Sequence, residues 1–427
     1  MDFRRVIRMT VTCLLLAAAF AAPSQIYAQE VNTCTATVRE AATQTLVNCS
    51  GSGLNTACYA FDEIERVLVD PLNEDDEVFS EPGDVIQTAD VITLRPSAIN
   101  TEDETWGITV LHLQAGLPSG FEDNVIVVGL GGAEIESGVP IADAFVPLEE
   151  PVSLTTIGAG ELRVATTFTV PDESEVLGTV PAGAAVLADA VSEDGAWVRV
   201  IVDEAPGWLA ASAVDSDDLA ALPAMDDGQL TALQSFYTRT GIDAGSCLPR
   251  SSWVIVQGPE ATPVDVVIND VPIRIESTIA VRTLEAGEPI GLQMEVLVLY
   301  GVARANPDTQ EEIIIPPGYT VTVGYGPDFV SKGIEGDDDE RSGPLSIGEP
   351  TVVDQSVLDD IGIIEELPAD LFNYEVPPPI IITPSGIGGP IIELIFTNPG
   401  ALAQIQQLCS QGIIPVAICQ VFGFPTP

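Results

Sequence analysis

The feature that most constrains this chain is a repeated pattern of short apolar runs separated by glycine- and proline-containing turns. Residues 90–94, 107–113 and 124–128 are such runs, and the chain contains 37 glycines and 33 prolines. Short runs rich in β-branched residues and bounded by turns are typical of antiparallel strands. The pattern continues through residues 158–216 and 253–325. The sequence therefore predicts a mainly β protein made of several small β-modules, with a few short helices.

The N-terminal residues 1–28 predict a secretory signal peptide. Arg4, Arg5 and Arg8 precede an apolar core, and small residues lead to a cleavage point after Ala28. The core is shorter than the roughly 20 residues that a membrane-spanning helix needs, and an uncleaved membrane anchor is the alternative interpretation. We expect a secreted or cell-surface protein that is not embedded in the membrane.

The charge of the chain argues against two classes of partner. Its formal net charge is −49, from 64 acidic and 15 basic residues. Nucleic acids and anionic lipids bind clustered lysine and arginine, so we expect neither as a partner. Such an acidic surface favours divalent cations or serves solubility in a salty medium. The residues of the candidate calcium cluster are Asp337, Asp338, Asp339 and Glu340, because Ca²⁺ prefers oxygen ligands.

Cysteines beyond the predicted leader are even in number, which in an exported chain indicates disulfides. Apolar residues at helical spacing predict a helix over residues 33–47. Its rise would hold Cys34 and Cys49 about 20 Å apart, whereas a disulfide needs Cα atoms within about 7 Å. The sequence therefore predicts that Cys49 pairs with Cys58. Cys34 then becomes a candidate partner for Cys247.

The C-terminal part of the chain predicts no large module. Residues 331–399 form an acidic and proline-rich segment, and residues 400–427 form a cysteine-containing tail. Cys409 and Cys419 lie close together in that tail and far from the other cysteines, so we expect them to pair. Closing so small a loop would stabilise the protein by roughly 3 kcal/mol on the chain-entropy model.

Residues 29–150 predict a β-rich module with one helix. The region resembles an N-terminal module of uncharacterised exported bacterial proteins. The residues that carry this resemblance are Asn55-Thr56-Ala57-Cys58-Tyr59, Pro82-Gly83-Asp84, Trp106-Gly107 and Gln114-Ala115. The resemblance implies no particular chemistry.

Residues 158–216 predict five short alternating strands, which suits a small barrel. Val176 to Gly183 form a V-x-G-x-x-x-x-G turn, Trp197 begins a W-x-x-V strand, and Gly207-Trp208-Leu209 close the segment. In this order of motifs the segment resembles a bacterial SH3 domain. That resemblance implies a peptide- or glycan-binding role. The aromatic candidates for ligand contact are Trp208, Trp197 and Phe168. Since so small a barrel needs a large core residue, we expect Trp197 in the core and Trp208 at a groove edge.

Two further segments follow the barrel. Residues 226–240 predict a linker helix, with an aspartate at its N-terminus and Gly241 at its end. Residues 247–330 return to strands, and their Asn269–Pro272 turn and Val298–Ala303 strand resemble a FecR-like domain. The resemblance implies a single-sheet β-structure that serves protein contacts in envelope signalling.

The sequence contains few candidate catalytic residues. Catalysis needs a positioned base, nucleophile or metal. His112 is the one histidine, and its place in an alternating strand favours an ordinary sheet residue. No nucleophile elbow, phosphate loop or dinucleotide fingerprint occurs in a suitable context. The sequence thus predicts a protein that is not an enzyme and that requires no cofactor, with Ca²⁺ as a candidate ligand.

The functional prediction is a secreted or cell-surface scaffold that contacts cell-wall peptide, glycan or envelope proteins. Two alternatives remain open. One is envelope signalling of the FecR type. The other is an acidic glycan hydrolase, which would hold two carboxylates about 5–10 Å apart in a cleft.

Overall fold

The structure is a computed structural model of the chain. It describes the following residues: 22–100, 105–168, 171–242, 252–260, 262–285, 291–326, 329, 343–361, 367–376, 382–383, 386–387, 406 and 409–410. Within the part of the chain that the structure describes, strands account for 44% and helical segments for 13%, which confirms the mainly β prediction. Residues 1–21 of the predicted signal peptide, the candidate calcium cluster and Cys419 lie outside the described residues.

The described residues of the first third of the chain form one long helix and seven strands. Their bounds are α1 Ala22–Cys49, β1 Thr56–Phe61, β2 Ile64–Leu68, β3 Val85–Gln87, β4 Val91–Pro96, β5 Ile108–Leu113, β6 Val125–Leu130 and β7 Glu134–Ser137. The helix predicted over residues 33–47 is confirmed as part of α1. None of the helices in the described part is long and apolar enough to span a bilayer.

The middle of the chain forms a smaller β-unit, which we call the barrel unit. Its elements are β8 Val152–Thr155, β9 Gly160–Val164, β10 Val176–Val180, β11 Ala185–Ser192, β12 Trp197–Val202, β13 Ala205–Ala210, α2 Ser216–Leu219 and β14 Ala224–Met225. The sheet runs in the order β10-β9-β13-β12-β11-β14, with β8 also paired to β11. Five of these strands lie within residues 158–216, as predicted, and β8 and β14 extend the unit at both ends.

Among its described residues, the last third adds further strands and the helix α3, and residues 406, 409 and 410 are also helical. The bounds of the strands and of α3 are β15 Ser235–Arg239, β16 Trp253–Gln257, β17 Val264–Ile268, β18 Val271–Ile275, β19 Thr278–Glu285, β20 Leu292–Tyr300, β21 Ala303–Ala305, β22 Ile313–Ile315, β23 Tyr319–Tyr325, β24 Ser346–Ile347, β25 Thr351–Val352, α3 Gln355–Ile361, β26 Ile382–Thr383 and β27 Gly386–Ile387.

Strands from the first and last thirds share two sheets. The larger sheet runs β24-β23-β20-β19-β16-β6-β5-β1-β3, and the second runs β2-β4-β7-β15-β17-β18-β21-β22. β16 pairs with β6, and β15 pairs with β7 and β17. The predicted separation of residues 29–150 from residues 247–330 is therefore corrected, because the two segments form one two-sheet body, the sandwich. The single sheet expected for residues 247–330 is likewise replaced by strands in both sheets.

Apolar residues explain the layering of the sandwich. One core fills the space between the two sheets, with residues such as Leu94, Leu111 and Val256 fully buried. A second core covers the outer face of the larger sheet, where Val38 of α1 and Val357 of α3 pack. Strands of the larger sheet are thus buried on both faces, which accounts for their nearly continuous apolar sequences.

The segment at residues 226–240 is not a helix, and the prediction there is wrong. Gly228 (φ 72°) and Leu233 (φ 57°) have left-handed backbone conformations that interrupt any helix. The residues after Leu233 form β15. Thr238 donates its backbone N–H to the buried Asn269 side chain at 2.7 Å. Tertiary pairing in the second sheet therefore overrides the local helical spacing.

A disulfide links α1 to the larger sheet. Cys49 at the end of the helix is bonded to Cys58 in β1, with Cα atoms 5.9 Å apart. This pairing confirms the prediction. Cys409 is buried and disulfide-bonded. Its predicted partner Cys419 lies outside the described residues, as does Cys247, the candidate partner of Cys34.

Candidate binding groove

The barrel unit is joined to the sandwich through two buried arginine–aspartate pairs. In the first, Arg199 of β12 donates from Nε and Nη2 to the two carboxylate oxygens of Asp189 in β11, at 2.8 and 2.7 Å. Their side chains are 1% and 0% exposed. This bidentate geometry is the strong form of a charge-assisted hydrogen bond.

The Arg199–Asp189 pair also bonds to the backbone of the sandwich. Asp189 Oδ2 accepts the backbone N–H of Ser119 at 2.7 Å, and Arg199 Nη1 donates to the carbonyl of Gly116 at 3.0 Å. The loop after β5 is therefore held on the barrel unit by charged partners that water cannot reach.

The second pair lies in the sandwich and bonds to the backbone of the barrel unit. Arg274 of β18 donates to Asp265 of β17 in the sandwich, at 2.8 and 3.1 Å. Asp265 Oδ2 then accepts the backbone N–H groups of Thr167 and Phe168 in the barrel unit, at 2.8 and 3.3 Å. Burial disfavours the charge of Arg274, but hydrogen bonds and charge attraction from Asp265 and Asp308 raise its pKa above the ordinary value.

Close backbone approach completes the junction. Gly116 has φ +80°, and a Cβ atom added there would lie 2.9 Å from Thr167 Oγ1. Gln234 donates to the same Thr167 hydroxyl at 2.9 Å and to the Asp265 carbonyl at 2.8 Å. The two units are therefore joined by buried hydrogen bonds, and the ion pairs hold the charged groups of those bonds in place.

Beside this junction lies an open groove with an acidic rim, which we call the junction groove. Its cavity volume is about 480 Å³. The sandwich contributes Phe121, Glu122, Asp123 and Glu260, and the barrel unit contributes residues of β8, β11 and the β12–β13 turn. The carboxylates that line the groove are Glu122, Asp123, Asp203, Glu204 and Glu260. None of the described residues lining it is basic.

The floor of the groove is apolar, and the groove continues around the β12–β13 turn. Val186, Leu187 and Ile201 line the floor, and the Leu187 side chain is 38% exposed. A second cavity of about 220 Å³ shares Asp203, Glu204 and Thr262 with the first and extends to Leu177 of β10. A concave surface with an apolar floor and a few placed polar groups is the usual form of a binding site.

The turn between β12 and β13 places two of the carboxylates. Val202 pairs with Ala205, so Asp203 and Glu204 form a two-residue loop, with φ 49° and 68°. Such turns favour asparagine and glycine, because both central residues need positive φ. Both side chains are exposed, and within the described part of the chain neither makes a hydrogen bond or an ion pair.

Neither tryptophan lies where it was predicted, because the core of the barrel unit contains neither ring and neither ring lines the junction groove. Trp208 is 8% exposed and packs with Phe145, Ala190 and Met225, whereas Trp197 is half-buried beneath the Arg163 guanidinium at 5.8 Å. Both rings lie on the outer face of the barrel unit. Phe145 and Met225 come from outside residues 158–216, so local sequence could not reveal that they cover Trp208.

The remaining candidate residues do not gather into one site. Phe168 lies in the loop held by Asp265, where its backbone serves the junction. No group of three or more potential metal ligands occurs among the residues that the structure describes. His112 lies in β5 between Thr56 and Ile126, and burial lowers its pKa while Asn124 partly opposes that shift.

The junction residues were missed by the sequence analysis, although the sequence carries a signal for them. Asp189, Asp265 and Arg199 are each a single charge within an otherwise apolar strand. A charged residue buried in a strand needs a partner, so two such acids and two such arginines predict buried pairs.

Comparisons with known proteins give no relative from which a function could be inferred. No protein-family model, curated protein or solved structure matches the chain. The resemblances to a bacterial SH3 domain and to a FecR-like domain therefore stay predictions, and the groove must be interpreted from its own residues.

Proposed function

We propose that this chain is an exported, non-enzymatic binding protein that holds a positively charged ligand in the junction groove. The observation that carries the proposal is the set of five carboxylates around an apolar floor, with no basic residue among the described lining. Partners that fit this chemistry are envelope proteins or cell-wall peptides with lysine or arginine side chains.

The electrostatics of the groove favour such a ligand. Charges interact over about 10 Å at 0.1 M salt, so neighbouring carboxylates around one groove act together. Clefts lined by one sign of charge concentrate counter-ions and speed their association. The net charge of −49 adds a long-range attraction for cations, and the groove supplies the shape that a plain acidic surface lacks.

The compartment is part of the proposal. The Cys49–Cys58 disulfide suits an oxidising environment outside the cytoplasm. If export occurs as the sequence predicts, N-terminal sequencing of the secreted protein will begin near Gln29. An intact Met1 on secreted protein would contradict the predicted cleavage.

Binding can be measured with a defined probe. We expect an eight-residue lysine peptide to bind the full chain in isothermal titration calorimetry, more weakly as salt rises. Replacing Asp203→Asn and Glu204→Gln removes two charges, each worth about 0.5 kcal/mol in an exposed ion pair. The affinity should fall about fivefold.

A matched control separates the groove from the general acidity of the surface. Glu74→Gln with Glu77→Gln removes the same charge from exposed positions on the sandwich. The control should bind the peptide as the parent does. Equal losses in both variants would show that the peptide binds the surface as a whole, and the proposal would fail.

A further inference from the structure

One edge of the barrel sheet is open beside the groove. β10 is the terminal strand of that sheet, and no described strand pairs with its outer edge. Its residues Val176 to Thr179 are all exposed, with Val176 at 43% and Leu177 at 49%. Exposed edge strands present unpaired N–H and C=O groups, and proteins usually protect them with charges or proline. These four positions carry neither.

A bulge in β10 directs one of its side chains toward the groove. The register with β9 shifts between Val176 and Gly178, so Leu177 is an extra, bulged residue. Bulges redirect a side chain, and Leu177 lines the smaller cavity together with Asp203 and Glu204. Nothing lies within 4 Å of the position of a Cβ atom at Gly178, so this face of β10 is uncovered.

We infer that the ligand of the proposed groove is an extended basic segment of a partner protein, which adds a strand to the outer edge of β10. This inference rests on the proposed function. Main-chain hydrogen bonds to β10 would give affinity, as in other complexes formed by strand addition. Successive side chains of an added strand point to opposite faces. Lysine or arginine residues on the face of the smaller cavity would then pack their apolar stems on Leu177 and reach the carboxylates of Asp203 and Glu204 with their charged ends.

The test uses a heptapeptide of alternating lysine and valine, with two versions that are N-methylated on odd or on even residues. N-methylation removes N–H donors from one edge of an extended peptide. Only one edge can pair with β10, so one methylated version should lose about tenfold or more in affinity while the other keeps most of it. Hydrogen exchange of the full chain should slow at residues 176–180 when the unmodified peptide is bound.

Variants on the protein give an independent check. Leu177→Ser should weaken binding of the heptapeptide by several-fold, since it removes the apolar contact and no charge. The control is Val85→Ser on β3, the edge strand at the far end of the larger sheet, where the side chain is 48% exposed. That variant should bind as the parent does.

Spermine carries positive charge without a peptide backbone, so it tests the groove proposal separately from strand addition. If both methylated peptides bind like the parent peptide and all still depend on Asp203 and Glu204, strand addition is wrong and the groove proposal stands. If neither the peptides nor spermine bind, both proposals are wrong. If only one methylated peptide loses affinity, and hydrogen exchange slows at β10 when the unmodified peptide is bound, strand addition is supported.

Discussion

Two hairpin turns of this protein share a backbone conformation and use it differently. Asp203 and Glu204 connect β12 to β13, with φ 49° and 68°, and Asn269 and Asp270 connect β17 to β18, with φ 50° and 62°. In both turns, two residues other than glycine occupy the left-handed region. That region costs an L-residue roughly 1–2 kcal/mol.

In the turn at Asn269, the side chains of both turn residues form hydrogen bonds with the surrounding structure. The Asn269 side chain is fully buried, accepts the N–H of Thr238 at 2.7 Å and donates to its carbonyl at 3.1 Å. Asp270 accepts the hydroxyl of Tyr237 at 2.7 Å. These bonds tie β15 to the turn, so the strained backbone is offset by tertiary contacts.

In the turn at Asp203 no such compensation exists within the described part of the chain. Both carboxylates are exposed and point to no partner there, yet they stand where the two cavities of the groove meet. Strained residues that the fold does not use occur preferentially at functional sites. The turn at Asn269 therefore maintains the fold, and the contrast supports the proposal that the turn at Asp203 presents charge to a ligand.

The largest expected effect is on the free energy of unfolding, when the buried Arg199–Asp189 pair near the Asp203 turn is broken. Asp189→Ala leaves the buried Arg199 guanidinium without its counter-charge, and Arg199 lies on the strand that ends at the turn. We expect the free energy of unfolding to fall by about 3–5 kcal/mol in urea titration. Glu193→Ala, at an exposed position of the same unit, should cost far less. Equal costs would mean that the junction does not hold the two units.

The second test compares the turns directly. Asn269→Ala leaves two buried backbone groups of Thr238 without partners, so the free energy of unfolding should fall by about 3 kcal/mol. Asp203→Ala occupies the equivalent backbone position and removes no hydrogen bond. We expect a loss below about 1 kcal/mol from the poorer fit of alanine to positive φ. If the two losses were similar, the contrast between the turns would be mistaken.

A third variant should gain stability and lose binding. Asp203→Asn with Glu204→Gly installs the residues that such turns prefer and removes both charges. The free energy of unfolding should rise by about 1 kcal/mol, while the lysine peptide should bind more weakly. If the variant gained stability and bound the lysine peptide as the parent does, this turn would not be part of the binding site.

The smallest effect concerns the turn at the other end of β12. Asp194 accepts hydrogen bonds from Ser192 Oγ at 2.6 Å and from the Ala196 N–H at 2.9 Å, and these bonds lower its pKa below 3.8. Its contribution to stability is therefore complete above the unfolded pKa and is lost as pH falls through the lower folded pKa. Carboxyl titration followed by NMR should show the low pKa, and Ser192→Ala should raise it. An unchanged pKa in that variant would exclude the Ser192 hydroxyl as the cause.

Local signals account for the parts of the fold that the sequence predicted. Short apolar runs identified most of the strands, such as β6 and β16, because a strand is recognisable from its own residues and bounding turns. Helical spacing at residues 33–47 predicted α1 and, through the length of that helix, the Cys49–Cys58 disulfide.

Pairing between distant segments could not be predicted in this way. The sequence of a strand shows which of its faces is apolar but not which strand lies beside it. The paired strands β6 and β16 are separated in the chain by the whole barrel unit. The same limitation explains the error at β15, whose residues adopt a strand only because β7 and β17 flank them. It also explains the error at the tryptophans, since Phe145 and Met225, which pack on Trp208, lie outside residues 158–216.

By itself, the sequence determined the mainly β class, the positions of most strands, one disulfide and the strongly acidic charge, because these depend on local patterns and on composition. The tertiary structure alone decided that the first and last thirds form one body, that Asp189 and Asp265 join it to the barrel unit, and that Glu122, Asp203 and Glu260 surround one groove. These carboxylates are far apart in the chain. Only long-range strand pairing and the burial of charged pairs bring them together.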